Sequence, residues 1–175
     1  MSYFTELKRA MTWLGEHPKS IFLGQAVAEK GTGMTASFDE VPRHKLLELP
    51  VAEDMQMGMS IGLSLAGDLP ISIYPRWNFL LLATNQLVLH LDKLPLYSDY
   101  RPKVIIRTAV ATPEPLDPGP QHLGDFSIPF RMMLSTVKVV MLGKTGEIFP
   151  AYYDAVHDTR STLLVEYTAL YNTED

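Results

Sequence analysis

Short runs of β-branched and aliphatic residues alternate along this chain with longer stretches whose apolar positions recur every three or four residues. "MSYFTELKRAMTWLGEH" spreads acids and bases over a helical period and predicts an opening helix. "SIFLGQAV" reads as a buried strand that ends in a turn at Gly24, and "HKLLELP" as a second short strand. A helix follows over "EDMQMGMSIGLSLAG", then a strand over "LPISIYP", a helix over "NFLLLATNQLVLHLDKL" stopped by Pro95, and a strand over "KVIIRTAV". The remainder predicts a short helix over "FSIPFRMML", a strand over "VKVVML", a helix over "GEIFPAYYDAVHD" and a last strand over "STLLVEY". Parallel strands need helical crossovers between them, so the alternation predicts an α/β fold: a three-layer sandwich with a mainly parallel sheet flanked by helices.

Two stretches break the alternation. "AEKGTGMTASFDEVPRH", with Gly31 and Gly33, reads as a loop holding one helical turn. "ATPEPLDPGPQHLGD" has prolines at 113, 115, 118 and 120, which deny the backbone both a helix and a ladder. A long ordered loop after a strand of a parallel sheet is where ligands meet such folds.

Composition narrows the picture. With 175 residues and 46% hydrophobic content, the chain is long enough for one core and too short for two ordinary domains, so residues 1–175 are expected to form a single domain. A net charge of -5 offers no basic field for nucleic acid or an anionic membrane surface. The absence of cysteine leaves no disulfide framework and no thiolate metal site, which suits a cytoplasmic location. The longest apolar run, "FLLLATNQLVLHL", is broken by Asn85, Gln86 and His90 before the roughly 20 residues a bilayer demands, so no membrane partner is expected.

The stretch "LPVAEDMQMGMSIGLSLAG", residues 49–67, raises a chemical question. It sets Glu53 and Asp54 in front of an apolar segment interrupted by Gly58, Gly62 and Gly67. In a helix starting near Glu53, Gly58, Gly62 and Ala66 share one face, which lets a neighbouring backbone come close. Glycine inside a helix costs up to about 1 kcal/mol against alanine, so the stripe answers a packing demand that larger residues cannot meet. From pattern alone Glu53 reads first as a first-turn acid that complements the helix dipole.

The same stretch resembles the signature of the pyrimidine-binding domain of thiamine diphosphate enzymes, in particular the beta subunits of the decarboxylating component of 2-oxoacid dehydrogenases. In that family a glutamate opens a helix with glycines five, nine and fourteen residues on, as Glu53 is followed here by Gly58, Gly62 and Gly67. "LPISIYPRWNFLLLATNQLV" resembles the family's next strand and helix, "GPQH" its histidine loop, and "VKVVML" with "STLLVEYTALY" its closing strands and a glutamate-bearing segment after the last of them. The resemblance implies that Glu53 activates the cofactor by exchanging a proton with N1′ of its aminopyrimidine. It implies that Phe79 packs on that ring and that His122 assists at the substrate, with Gln121 beside it in the loop.

The resemblance also implies what the chain must borrow. Family members hold the diphosphate through Mg2+ bound by "GDG" and a later asparagine in a second domain; this sequence has "GDL" at 67 and "GDF" at 124 but no "GDG". A diphosphate-binding partner subunit carrying that motif and the Mg2+ is therefore expected, most simply with two copies of each chain. A transketolase-type C-terminal domain is expected to be absent. The expected function is that of the pyrimidine-binding subunit of a split enzyme, inactive alone, that cleaves a carbon–carbon bond of a 2-oxoacid or ketol. Transketolase-like transfer between sugar phosphates and a non-catalytic module that kept the fold are the alternatives. Two departures bear on this: Gln25 stands where the family has an acid, so no proton relay between paired sites is carried over, and Arg76 stands where the family has a neutral residue. Arg76 reads either as a contact for an anionic substrate or acyl carrier, or as one half of an ion pair.

Overall fold

The computed structural model describes residues 1–29, 32–113 and 117–173, so Gly31 and Pro115 of the two irregular stretches lie outside the described residues. Helix α1 (Tyr3–Glu16) is capped by Ser2, whose hydroxyl accepts from the N–H of Thr5 at 3.2 Å. Then come β1 (Ser20–Gly24), β2 (Leu46–Glu48), α2 (Glu53–Leu65), β3 (Leu69–Ile73) and α3 (Trp77–Leu82). A π-helical segment (Gln86–Leu91) leads to the short α4 (Leu94–Tyr97). The chain continues through β4 (Ile105–Val110), α5 (Ser127–Met133), β5 (Lys138–Met141), α6 (Ile148–His157) and β6 (Thr162–Tyr167).

The six strands form one sheet in the order β2-β1-β3-β4-β6-β5, and every neighbouring pair is parallel. Helices cover both faces, which is why all of β3 and the first five residues of β4 and β6 are buried. On one face α1 and α6 close over a core that includes Leu7, Met11, Phe22, Ile71 and Tyr152. On the other, α2, α3, the π-helical segment and α5 pack Met57, Trp77, Leu87, Leu91 and Phe130 against Ile106 and Val165. Pro70 is tolerated inside the central strand β3 because the ladder to β4 begins only at Ile71.

Two local differences from the sequence pattern have physical causes. Pro95 does not stop the long helix; it lies in the first turn of α4, where its missing N–H has no intrahelical partner to lose. Ahead of it, the N–H of Asp92 reaches five residues back to the carbonyl of Leu87 at 3.0 Å, a π-type register. That register keeps Leu87 and Leu91 in the core and points the buried Asp92 carboxylate across to the N–H groups of Ser135, Thr136 and Val137, at 2.7–3.0 Å. The glutamate near the chain's end, Glu166, lies within β6 rather than after it.

Candidate functional site

Ligands meet such folds at the carboxyl ends of the parallel strands, and the segments that follow β2, β3 and β4 carry Glu53, then Arg76 and Phe79, then His122. Gly24 closes β1; a Cβ at this position would stand 2.4 Å from the carbonyl oxygen of Ile73 in β3, so only glycine permits the approach. Into the same crossing Gln56 of α2 sends its amide, which donates to the carbonyls of Leu23 (3.2 Å) and Ile73 (2.9 Å) and to the Ser72 hydroxyl (3.1 Å). These bonds fasten the first turn of α2 to the ends of β1 and β3. Gly67, at φ +98, ends the helix, its N–H donating to the Ser64 carbonyl at 3.1 Å.

Glu53 is the first residue of α2 and only 5% exposed. Its backbone carbonyl accepts from the Tyr74 hydroxyl at 3.3 Å, yet its side-chain oxygen Oε1 is buried with no hydrogen-bond partner among the described residues. Buried polar atoms almost always find a partner, so an orphan at a strand-to-helix junction marks a place built for something to arrive. Gln25, just past β1, also holds a buried amide oxygen without a partner. A dipole role for Glu53 would be served as well by an exposed acid, as Asp54 beside it already is.

Phe79 and His122 come together from distant parts of the chain. Phe79 in α3 is half-buried, and its ring centroid lies 6.0 Å from that of His122 with the planes inclined by 30°. His122 ends a 3-10 turn, Pro120–His122, and its Nδ1 lies 2.8 Å from Oδ1 of Asn78. An amide oxygen only accepts, so Nδ1 carries the proton and Nε2 is left open. Asn78 was not read from the sequence as a site residue; the signal was its place one residue before Phe79, but the pairing spans 44 positions. Gln121 does not join the group. It is exposed, and its amide lies over Gly119, where an added Cβ would meet Oε1 at 2.9 Å.

Glu48, read from the sequence only as a strand residue, organises the loop beside this junction. Its carboxylate accepts from four successive N–H groups, those of Ala26 (2.6 Å), Val27 (2.8 Å), Ala28 (2.7 Å) and Glu29 (3.1 Å). Burial on its own raises the carboxyl's pKa, but these donors outweigh it and hold Glu48 below the usual carboxylate value. Deeper in the sheet, Arg107 and Glu166 form a fully buried ion pair at 2.7 Å, joined by the hydroxyls of Ser37 and Tyr171. Burial works against the Arg107 charge, yet Glu166 beside it keeps the guanidinium's pKa above its ordinary value. Among the described residues, no group of three or more His, Asp or Glu side chains is gathered that could hold a metal ion. No helix among them is long and apolar enough to cross a membrane.

The buried Glu53 Oε1, unpartnered among the described residues, could receive a protonated ring nitrogen, and Phe79 offers an aromatic face beside the His122 imidazole. Comparisons with known proteins find two likenesses. No family model matches the chain. It is 26% identical over 178 residues to the pyruvate dehydrogenase E1 component subunit beta of Gracilaria tenuistipitata var. liui, a match covering 98% of this chain and 54% of that protein. Among solved structures it superimposes over its whole length on a split-gene transketolase described as an inactive beta4 tetramer, with a TM-score of 0.76, 17% identity and 53% of that chain covered. The chain thus spans about half the length of the relatives it matches. By sequence it is similar to the E1 beta subunit, and it shares its α/β fold with the split-gene transketolase chain.

Proposed function

We propose that this chain supplies the pyrimidine-binding half of a thiamine diphosphate site, completed by a second subunit, in an enzyme that cleaves a carbon–carbon bond next to a carbonyl of a 2-oxoacid or ketol. The observation that carries this reading is the buried Oε1 of Glu53, left without a partner at the start of α2. Thiamine diphosphate supplies the nucleophilic carbon and electron sink for such a cleavage when bound. On this reading Glu53 holds and exchanges a proton at the pyrimidine nitrogen N1′, and its buried setting keeps water from competing for that proton. Phe79 offers its ring to one face of the pyrimidine, and His122, held by Asn78, turns Nε2 towards the substrate's oxygen.

The diphosphate and its Mg2+ fall to a partner subunit that carries "GDG" and a downstream asparagine, since this sequence carries no "GDG". The outer face of α2 supports such an assembly: a Cβ on Gly62 would meet no atom within 4 Å, and Met55, Leu65 and Ala66 are exposed around it. A helix face with an open glycine among exposed apolar side chains suits packing against another chain, most simply with two copies of each subunit. The test is Glu53→Gln in the reconstituted assembly. Assembly is expected to persist while turnover falls by about 10²–10⁴-fold, the usual contribution of a positioned proton carrier; a variant that keeps its turnover contradicts the mechanism.

A further inference from the structure

Beside the Phe79–His122 contact, the segments that follow β1, β3, β4 and β6 line a cavity of about 340 Å³. Met34, Pro75, Ala111 and Pro118 give it largely apolar walls, and Arg76 is the one charged side chain among its described lining residues. Arg76 sits half-buried just before α3; its carbonyl accepts from the N–H of Phe79 at 3.1 Å, but among the described residues its guanidinium makes no hydrogen bond or ion pair. Arg9, Arg43, Arg107 and Arg160, by contrast, each hold a carboxylate. The nearby charge inside the sheet cannot serve Arg76, because Glu166 is taken by Arg107 and by the Tyr171 hydroxyl at the cavity wall. A partly desolvated guanidinium left unpaired is costly, and its planar fork of donors matches a carboxylate or a phosphate two bonds at a time. Asn172 at the rim adds an amide donor that, among the described residues, is also unengaged.

The cavity shares its framing segments with the proposed reaction site. Arg76 is followed by Asn78 and Phe79, and Pro118 leads into the turn that delivers His122. We propose that this cavity takes the anionic group of the substrate, carboxylate or phosphate, with Arg76 as its binding residue and Asn172 as a second donor. This rests on the reading given under Proposed function for the neighbouring residues, but the binding of an anion at Arg76 stands or falls by itself.

The test is nitrogen-detected NMR of the arginine side chains of the full chain, titrated separately with pyruvate, inorganic phosphate and chloride at matched ionic strength. The Arg76 Nε–H signal is expected to move saturably with pyruvate or with phosphate but not with chloride. Response to pyruvate alone makes the group a carboxylate, and response to phosphate alone makes it a phosphate ester. Arg76→Gln is expected to weaken that binding at least about tenfold, in line with the loss of a charge-assisted hydrogen bond, and Arg76→Lys to weaken it less. A response shared equally by chloride, no saturable response, or unchanged binding in a folded Arg76→Gln overturns the proposal. Thiamine chemistry is tested separately by Glu53→Gln, so loss of one reading leaves the other measurable.

Discussion

At the scale of single residues, the arrangement turns on which atoms are left without partners. Among the described residues, Glu53 Oε1 is one, the Arg76 guanidinium is another, and His122 Nε2 is a third, left open with Nδ1 engaged by Asn78 at 2.8 Å. That contact makes a prediction independent of any cofactor. Nitrogen NMR of the imidazole should find neutral His122 mainly in the Nδ1–H tautomer, and Asn78→Leu should return it to the Nε2–H form that free imidazole side chains favour. A wild-type ring found mainly as Nε2–H contradicts the orientation described here. The residue types at the site were legible because motifs fix their spacing: Glu53 ahead of its glycines, Phe79 in the next helix, "GPQH" in the proline-rich loop. Asn78 and Glu48 were not, since their roles rest on contacts across 44 and about 20 positions that no local pattern encodes.

At the scale of elements, the type and order of the strands and most helices follow from hydrophobic period, because each buries a continuous stripe against a sheet covered on both faces, while β1 and β2 are shorter than the pattern draws them. The exception is the helix after β3, which the apolar period draws as one rod to Pro95. It becomes α3, a π-type segment and α4 because Asp92 must reach Ser135, Thr136 and Val137. Burial raises the Asp92 carboxyl's pKa, but Lys93 and the three N–H donors outweigh it and bring the value below the ordinary 3.8. A carboxylate with a depressed folded pKa contributes its full stabilisation above its unfolded value and loses it as pH falls through the folded one. Asp92→Ala is therefore expected to destabilise the chain by about 2–4 kcal/mol at neutral pH, as buried N–H groups lose a charged acceptor. Urea unfolding should show that difference shrinking only below pH 3.8; a constant difference down to strong acid argues against the carboxylate's role.

At the scale of the whole molecule, α2 presents small residues outward while the rest of the helix anchors the sheet. Gly62 has open space around it, whereas Gly67 of the same motif is held to glycine by a positive φ, as Gly24 at the end of β1 is by a close approach, so identical residues serve different ends. Gly62→Leu is expected to leave the chain's own melting temperature unchanged or higher, because leucine is a better helix former by up to about 1 kcal/mol. In the assembly, overpacking a close contact costs about 1–3 kcal/mol, so sedimentation should show the dissociation constant rising about tenfold or more. An assembly indifferent to this change means that the α2 face is not its interface. Such a role for the glycines is readable in the sequence only as a packing demand, since the partner's surface is encoded in another chain.

The central claim, that this chain holds the pyrimidine half of a thiamine diphosphate site, is tested most directly by isolating it from its own cells under native conditions and measuring both its stoichiometric partner and the thiamine diphosphate bound. The account predicts a partner in equal number carrying "GDG" with a downstream asparagine, and one thiamine diphosphate for each Glu53. Recovery of the chain without such a partner and without thiamine diphosphate would contradict it, and would leave the fold as that of a binding module.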